Sequence, residues 1–266
     1  MTNDKILGII VTYNPLISEL ERNIENILDQ VSKLYIFDNN SKNFSEIKDL
    51  NKGRFHIIAS NENVGLGKAY NIILEIEKNH FESFVTFDQD TLIPNKAIKH
   101  LHELLFKFPQ IGVIGPLFSR DTNSFNQAGI IEYKDALIQS CALFKMEIYK
   151  ILGGFNEDYF IDSVDFEYCL RILEKKYLIA ICNDIVIKHD LGELKSKFGI
   201  KFYSHSANRN YYIARNHVDI SKRFFKKFPL FILKKNVFFL IHFLKLLFLE
   251  SNRGKISSFL KGFFNR

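Results

Sequence analysis

The chain of 266 residues contains only three cysteines, Cys141, Cys169 and Cys182. Each lies inside an apolar stretch and none has metal-ligand spacing. That argues against a disulfide framework or a cysteine-held metal, and fits buried thiols in a reduced, cytoplasmic compartment. No signal-peptide pattern is visible, because MTNDK leads straight into a strand-like run. No internal repeat occurs, and no linker before about residue 219. The Gly65/Gly67 pair in NVGLGKAYN lacks the third glycine of a dinucleotide fingerprint and comes too late in the chain. Its glycines either admit a ligand close to the backbone or simply make a tight turn. The carboxy-terminal part has almost no acid. Residues 220–266 carry eleven Lys and Arg against Glu250 alone, a net +10, which leaves −4 for residues 1–219 out of the chain's +6.

What is present is an alternation of strands and helices. Ile6–Val11 is a continuous apolar run, as expected of a strand covered on both faces. Helical spacing follows from Leu16 to Val31, then strands at Leu34–Phe37 and Phe55–Ala59, and a helix from about Leu66 to Lys78. Phe84–Phe87 is the fourth strand, and a helix is expected over Asn95–Phe108 behind Pro94. This order predicts an α/β domain with a mostly parallel sheet. Beyond it come strands at Ile111–Ile114 and Ala136–Phe144 and a short helix, Met146–Leu152, closed by Gly153 and Gly154. An acidic helix runs to about Lys176, and two further apolar runs, Tyr177–Cys182 and Ile185–Ile187, follow.

Each of the first four strands ends in a polar cluster: TYN, DNNS, SNEN and DQD. In a parallel sheet these gather at one edge, where open α/β sheets bind ligands. Asp88 and Asp90 offer paired oxygens suited to a hard divalent cation that also holds a diphosphate, although Asp is also common in plain turns. In FIDSVDFEYCLR, Asp162 can cap the helix and Asp165 can sit in its first turn. Alternatively Asp165 is a general base able to take a proton from an incoming hydroxyl. His189 closes an apolar run and is either an ordinary strand-end histidine or a third metal ligand.

The segments IIVTYNP, FDNNS, NENVGLGKAYN, FDQD, GGFNEDYFIDSVDFEYCLR, IKHDLGE and NYYIARN, taken in order, resemble the inverting family 2 glycosyltransferases of GT-A fold. They resemble most the bacterial rhamnosyltransferase branch that builds O-antigen and capsular polysaccharide. The resemblance spans roughly Ile6 to His217. It implies that Thr12, Tyr13, Asn14 and Asp38 line a nucleotide pocket continued by Asn63 and Gly65, with Lys68 near the diphosphate. Asp88 and Asp90 would bind Mg²⁺ or Mn²⁺, completed by His189. Asp165 would be the base with Glu167 as its neighbour, and Asp162, Gly153 and Gly154 would lie on the acceptor side. The donor would be dTDP-L-rhamnose or a UDP-hexose, and the acceptor a saccharide on a lipid diphosphate at the inner leaflet. A non-catalytic nucleotide-binding protein is the alternative from another class.

Residues 1–219 are thus expected to form the transferase domain and 220–266 a basic amphipathic helical tail. The run Phe224–Leu249 is interrupted by Lys234, Lys235, His242 and Lys245, too often for a membrane span. On a helix from Pro229, Lys235, His242 and Lys245 share one side and Phe, Leu and Ile take the remainder. Such a helix fits the inner membrane surface, making the protein peripheral there, or packs against the domain with a lysine-rich solvent face. Its aromatics lie in apolar runs rather than on a polar sheet, which argues against nucleic acid.

Overall fold

The computed structural model describes residues 5–119, 124–125, 128–188 and 193–265. The first half alternates as the sequence implies: β1 (Ile6–Thr12), α1 (Ile17–Leu28), β2 (Lys33–Asp38), α2 (Phe44–Asp49), β3 (His56–Ala59), α3 (Leu66–Glu77), β4 (Ser83–Phe87) and α4 (Ala97–Lys107). Then come β5 (Ile111–Ser119), β6 (Ser124–Phe125), β7 (Ile131–Lys134), β8 (Ala142–Lys145), α5 (Met146–Leu152), α6 (Val164–Glu174) and β9 (Leu178–Lys188). The sheet order is β3-β2-β1-β4-β8-β5-β9-β6, with β7 also paired to β9. The pairs β1/β2, β1/β4, β2/β3 and β5/β9 are parallel, whereas β8 lies antiparallel between β4 and β5.

Strand β1 explains the layering. Successive side chains point to opposite faces. Leu7, Ile9 and Val11 therefore enter one core with α3, α5 and α6, while Ile6 and Ile10 enter the other with α1 and α4. Both faces are dry, so the run has no polar alternation. The three cysteines are buried and unbridged.

Three differences from the sequence expectation bear on the site. The run 136–144 is not one strand. Only Ala142–Lys145 pairs, and Ile138 and Gln139 instead line a cleft. Helix α4 starts at Ala97, two residues beyond the expected Asn95. A long helix that periodicity does not reveal, α7 (Ala207–Phe224), follows a separate hairpin of β10 (Glu193–Lys197) and β11 (Ile200–Ser204). It passes unbroken through 219/220, the expected domain boundary. Its Ile220 and Phe224, with Ile232, join the main core.

The tail continues as α8 (Pro229–Lys245), a π-helical turn (Leu246–Glu250) and α9 (Arg253–Phe264). Helix α9 folds back on α7 so closely that a Cβ at Gly262 would lie 2.1 Å from the Tyr211 carbonyl oxygen. The lysine-bearing side of α8 faces the protein and not solvent. His242 Nε2 is 2.8 Å from Asn210 Oδ1, Lys245 Nζ donates to the Tyr203 carbonyl at 2.7 Å, and Lys235 lies over the Phe166 ring. Leu230, Leu233, Val237, Leu240, Ile241, Leu244 and Phe248 are exposed. Recurring every three or four residues, with Leu240 and Ile241 side by side, they form one apolar stripe along the outside. Lys197 Nζ donates to the Phe248 carbonyl, which brings the hairpin tip, with Phe198 82% exposed, to the end of that stripe. Among the described residues no helix is long and apolar enough to cross a membrane.

Candidate active site

The strand ends do converge. The Tyr13 N–H donates to Gln89 Oε1 at 3.0 Å, and the Asn14 N–H to Ser41 Oγ at 2.8 Å. Asn39 Oδ1 accepts from the Val64 N–H at 2.8 Å, and the Ser60 N–H donates to the Asp38 carbonyl at 2.9 Å. These bonds tie four loops into one rim over a cleft of about 670 Å³.

From the strand-end loops the cleft is lined by Tyr13, Asn39, Asn63 and Gly65 and by Asp88, Gln89 and Asp90. Gly65 is required there. Its φ is +81°, and a Cβ would lie 2.6 Å from the Phe160 carbonyl oxygen. The glycine thus serves a left-handed turn and a close backbone approach together. From the segment around the start of α6 the cleft is lined by Phe160, Asp162, Asp165 and Phe166, joined by Tyr203, His205 and Arg209.

Asp165 occupies the first turn of α6. Its Oδ1 accepts the Phe166 N–H at 2.8 Å. Burial pushes its carboxyl up to about 6, and Asp162 adds to that. The Phe166 and Gln139 N–H groups and the Lys235 ammonium pull it back down. A carboxyl poised near neutrality in a cleft is suited to proton transfer. Asp162 does not cap the helix as its position suggests. The N-cap is Ser163, without a side-chain bond. Asp162 instead takes a bidentate grip from Arg209, with Nε at 3.1 and 3.0 Å and Nη2 at 2.9 Å. Burial still holds its carboxyl above the usual range, against the pull of Arg209.

Several expected site residues stand behind the cleft and do not line it. Thr12 Oγ1 donates to Asp38 Oδ1 at 3.0 Å, both buried, and Asp38 Oδ2 accepts the Ser41 N–H at 2.9 Å. Asn14, at φ +48°, braces the second loop through Oδ1, which accepts the Lys42 N–H at 2.8 Å. Lys68 is exposed on α3 and does not line the cleft. Glu167 is buried and clamps two helices, bonded to Arg171 at 3.1 Å and to Arg223 of α7 at 2.8 Å. Gly153 closes α5 at φ +78°, and Gly154 packs on the Asn71 amide. His189 lies outside the described residues. Asn39, Gln89, Gln139, Tyr203, His205 and Arg209 are cleft residues the sequence reading did not assign. Asn39 lay within the quoted DNNS cluster, whereas nothing local marks Arg209.

Asp88 and Asp90 meet the requirement for a divalent cation. Both line the cleft from the one loop that follows β4, and the donor set is hard carboxylate oxygen. Another grouping, His100, Cys182 and Asp184, lies at ligand distance elsewhere. There the Asp184 carboxylate is already occupied by His100 Nε2 at 2.9 Å and by the Gly129 and Ile130 N–H groups.

A mostly parallel sheet whose strand-end loops share one cleft with a half-buried carboxyl can hold a nucleotide beside a proton acceptor. Residues 9–164 match the model of glycosyl transferase family 2, and the chain belongs to that family. It is a glycosyltransferase. dTDP-rhamnosyl transferase RfbF of Shigella flexneri is 31% identical over 276 residues, covering 94% of this chain and 91% of RfbF. Among solved structures, mannosyltransferase PcManGT from Pyrobaculum calidifontis in complex with GDP-Man and Mn²⁺ superposes with a TM-score of 0.60 at 17% identity, over 97% of this chain and 73% of that one. GalNAc-T7 with UDP, GalNAc and Mn²⁺ does so at 0.57 and 12% identity, over 82% of this chain and 51% of its own.

Proposed function

We propose that this chain moves L-rhamnose from dTDP-L-rhamnose, with inversion, to a hydroxyl of a saccharide carried on a lipid diphosphate, in the synthesis of a cell-surface polysaccharide such as O-antigen or capsule. The single observation that carries the chemistry is Asp165, a carboxyl raised to about 6 that lines the same cleft as Asp88 and Asp90. The donor assignment is supported by the near full-length similarity to RfbF.

In this reading Tyr13, Asn39, Asn63 and Gly65 hold the nucleotide. The Asp165 carboxylate takes the proton of the acceptor hydroxyl as its oxygen attacks the anomeric carbon. The bond from that carbon to the diphosphate breaks on the opposite face, and the nucleoside diphosphate leaves with the bonding pair. Asp88 and Asp90 would hold Mg²⁺ or Mn²⁺, which when bound supplies positive charge to the leaving diphosphate. Arg209 fixes Asp162 and the loop that precedes α6.

The tail supports a position at the inner membrane surface. The apolar stripe of α8 and Phe198 face outward, while lysines dominate the tail's charge. Apolar area together with positive charge is what an anionic interface retains. This would bring the cleft to an acceptor whose lipid stays in the bilayer.

Melting temperatures with dTDP, UDP and GDP, each with and without Mn²⁺, test the donor. A ligand that binds the native state raises the melting point by mass action. A metal-dependent rise with dTDP alone is expected. A rise with UDP alone would replace the donor by a UDP-hexose.

A further inference from the structure

The inward face of α8 brings one lysine to the wall of the cleft. Lys235 Nζ lies 3.3 Å from the centroid of the Phe166 ring and 5.6 Å from that of Phe231. Phe166 lines the cleft next to Asp165. The other inward lysine, Lys245, is engaged by the Tyr203 carbonyl and by Glu250. Lys235 makes no hydrogen bond or ion pair with a described residue. Its charge meets the two aromatic faces and, through space, the Asp165 carboxylate.

We infer that Lys235, delivered by the tail helix, is a positioning residue for the transfer step, keeping Asp165 in its proton-accepting form. The inference rests on Asp165 being the base. Four groups with charge or a titratable proton face that carboxylate: Asp162 from the preceding loop, Tyr70 from α3, Cys169 one turn along α6, and Lys235 from α8. Arg209 is committed to Asp162, and Tyr70 and Cys169 are neutral because burial pushes both protons up. Lys235 is thus the cation left to offset burial and the Asp162 charge. Around Lys235 itself stand Lys234 on its own helix and His217 on α7; burial chiefly, and Lys234, disfavour its charge, while Asp165 favours it. The charge state of the base therefore depends on how α8 is seated, which ties the tail to the chemistry.

The test uses K235M, which keeps an unbranched stem on the two rings, and K235R, which keeps the charge. The probe is release of dTDP from dTDP-L-rhamnose with Mn²⁺ present and water as acceptor, followed against pH. A second readout, on the metal-free protein, is the pH titration of the Asp165 carboxylate carbon by ¹³C NMR, assigned by its loss in D165N. In K235M the acid limb and the NMR midpoint should both rise by about one pH unit. At pH 6 this lowers turnover about fivefold, with KM for the donor unchanged. K235R should restore the wild-type profile. Coincident midpoints in wild type and K235M, or equal shifts in K235M and K235R, overturn the inference. If K235M folds poorly, K235Q gives the same comparison. Wild-type turnover in D165N overturns the base assignment and this inference with it. An inactive D165N beside an unshifted K235M overturns this inference alone.

Discussion

Replacing Asp165 by Asn should make the protein more stable and nearly inactive. The carboxyl sits at about 6 in the fold against 3.8 unperturbed, so the native state binds its proton more tightly than the unfolded chain. Stability from such a group is complete below about pH 4 and is lost as pH rises through 6. At pH 7.5 the ionised Asp165 therefore costs the fold at most about 3 kcal/mol, from roughly two units at 1.36 kcal/mol each. Asn retains an oxygen for the Phe166 N–H and carries no charge to bury. The attraction to Lys235 is already contained in the value of about 6, and desolvating the new amide N–H groups offsets part of the relief, which leaves a net gain of about 1–2 kcal/mol. For a chain of this size that is a rise of about 2–4 °C in melting temperature at pH 7.5, and no rise at pH 3.5. Loss of general-base action should lower turnover about 10²- to 10⁴-fold. The assay pairs thermal unfolding of both proteins at the two pH values with dTDP release at pH 7.5. An unchanged or lower melting temperature at pH 7.5 together with retained turnover would refute the reasoning.

Gly65→Ala places a Cβ against the Phe160 carbonyl at positive φ and should cost about 2–4 kcal/mol, read as a lower melting temperature and loss of the dTDP-induced shift. Asp90→Ala should fold normally, because Asp90 is exposed, yet lose the metal-dependent part of nucleotide binding by calorimetry. A Leu233→Asp, Val237→Asp double variant alters two exposed residues of the α8 stripe. Its melting temperature should stay within about 2 °C of wild type, while binding to vesicles of anionic phospholipid falls about tenfold or more. Unchanged sedimentation with vesicles would remove α8 from that role.

The amino-terminal half of the fold is legible because its strands are apolar without interruption and their ends are abruptly polar. Ile6–Val11 and Phe84–Phe87 are buried throughout, and their polar ends meet at one rim. Asp165 is readable as a candidate from its place in an acidic segment opening a helix, and in the structure it lines the cleft. Helix α7 escaped because its packing face carries Asn210 and Asn216 at apolar positions. Each is buried and satisfied by carbonyls, Asn210 by those of His205 and Ser206, Asn216 by those of Ile161 and Asp162. A periodicity test sees such residues as breaks. The two sides of α8 were also readable, but not which of them faces inward. That depends on Phe166, Tyr203 and Asn210, which are distant in sequence. Thr12 and Asp38 show a third limit: a polar strand end marks a rim, yet a buried hydrogen-bonded pair can brace that rim without opening on the cleft.

The central claim is inverting transfer of rhamnose by Asp165, and the stereochemistry of turnover tests it most directly. Proton NMR of dTDP-L-rhamnose with Mn²⁺ and water as acceptor would follow the anomeric signal of the first sugar released. The account predicts rhamnose of configuration opposite to the donor, formed by the wild type and not by D165N. Sugar released with the donor's configuration, or equal release by D165N, would contradict it.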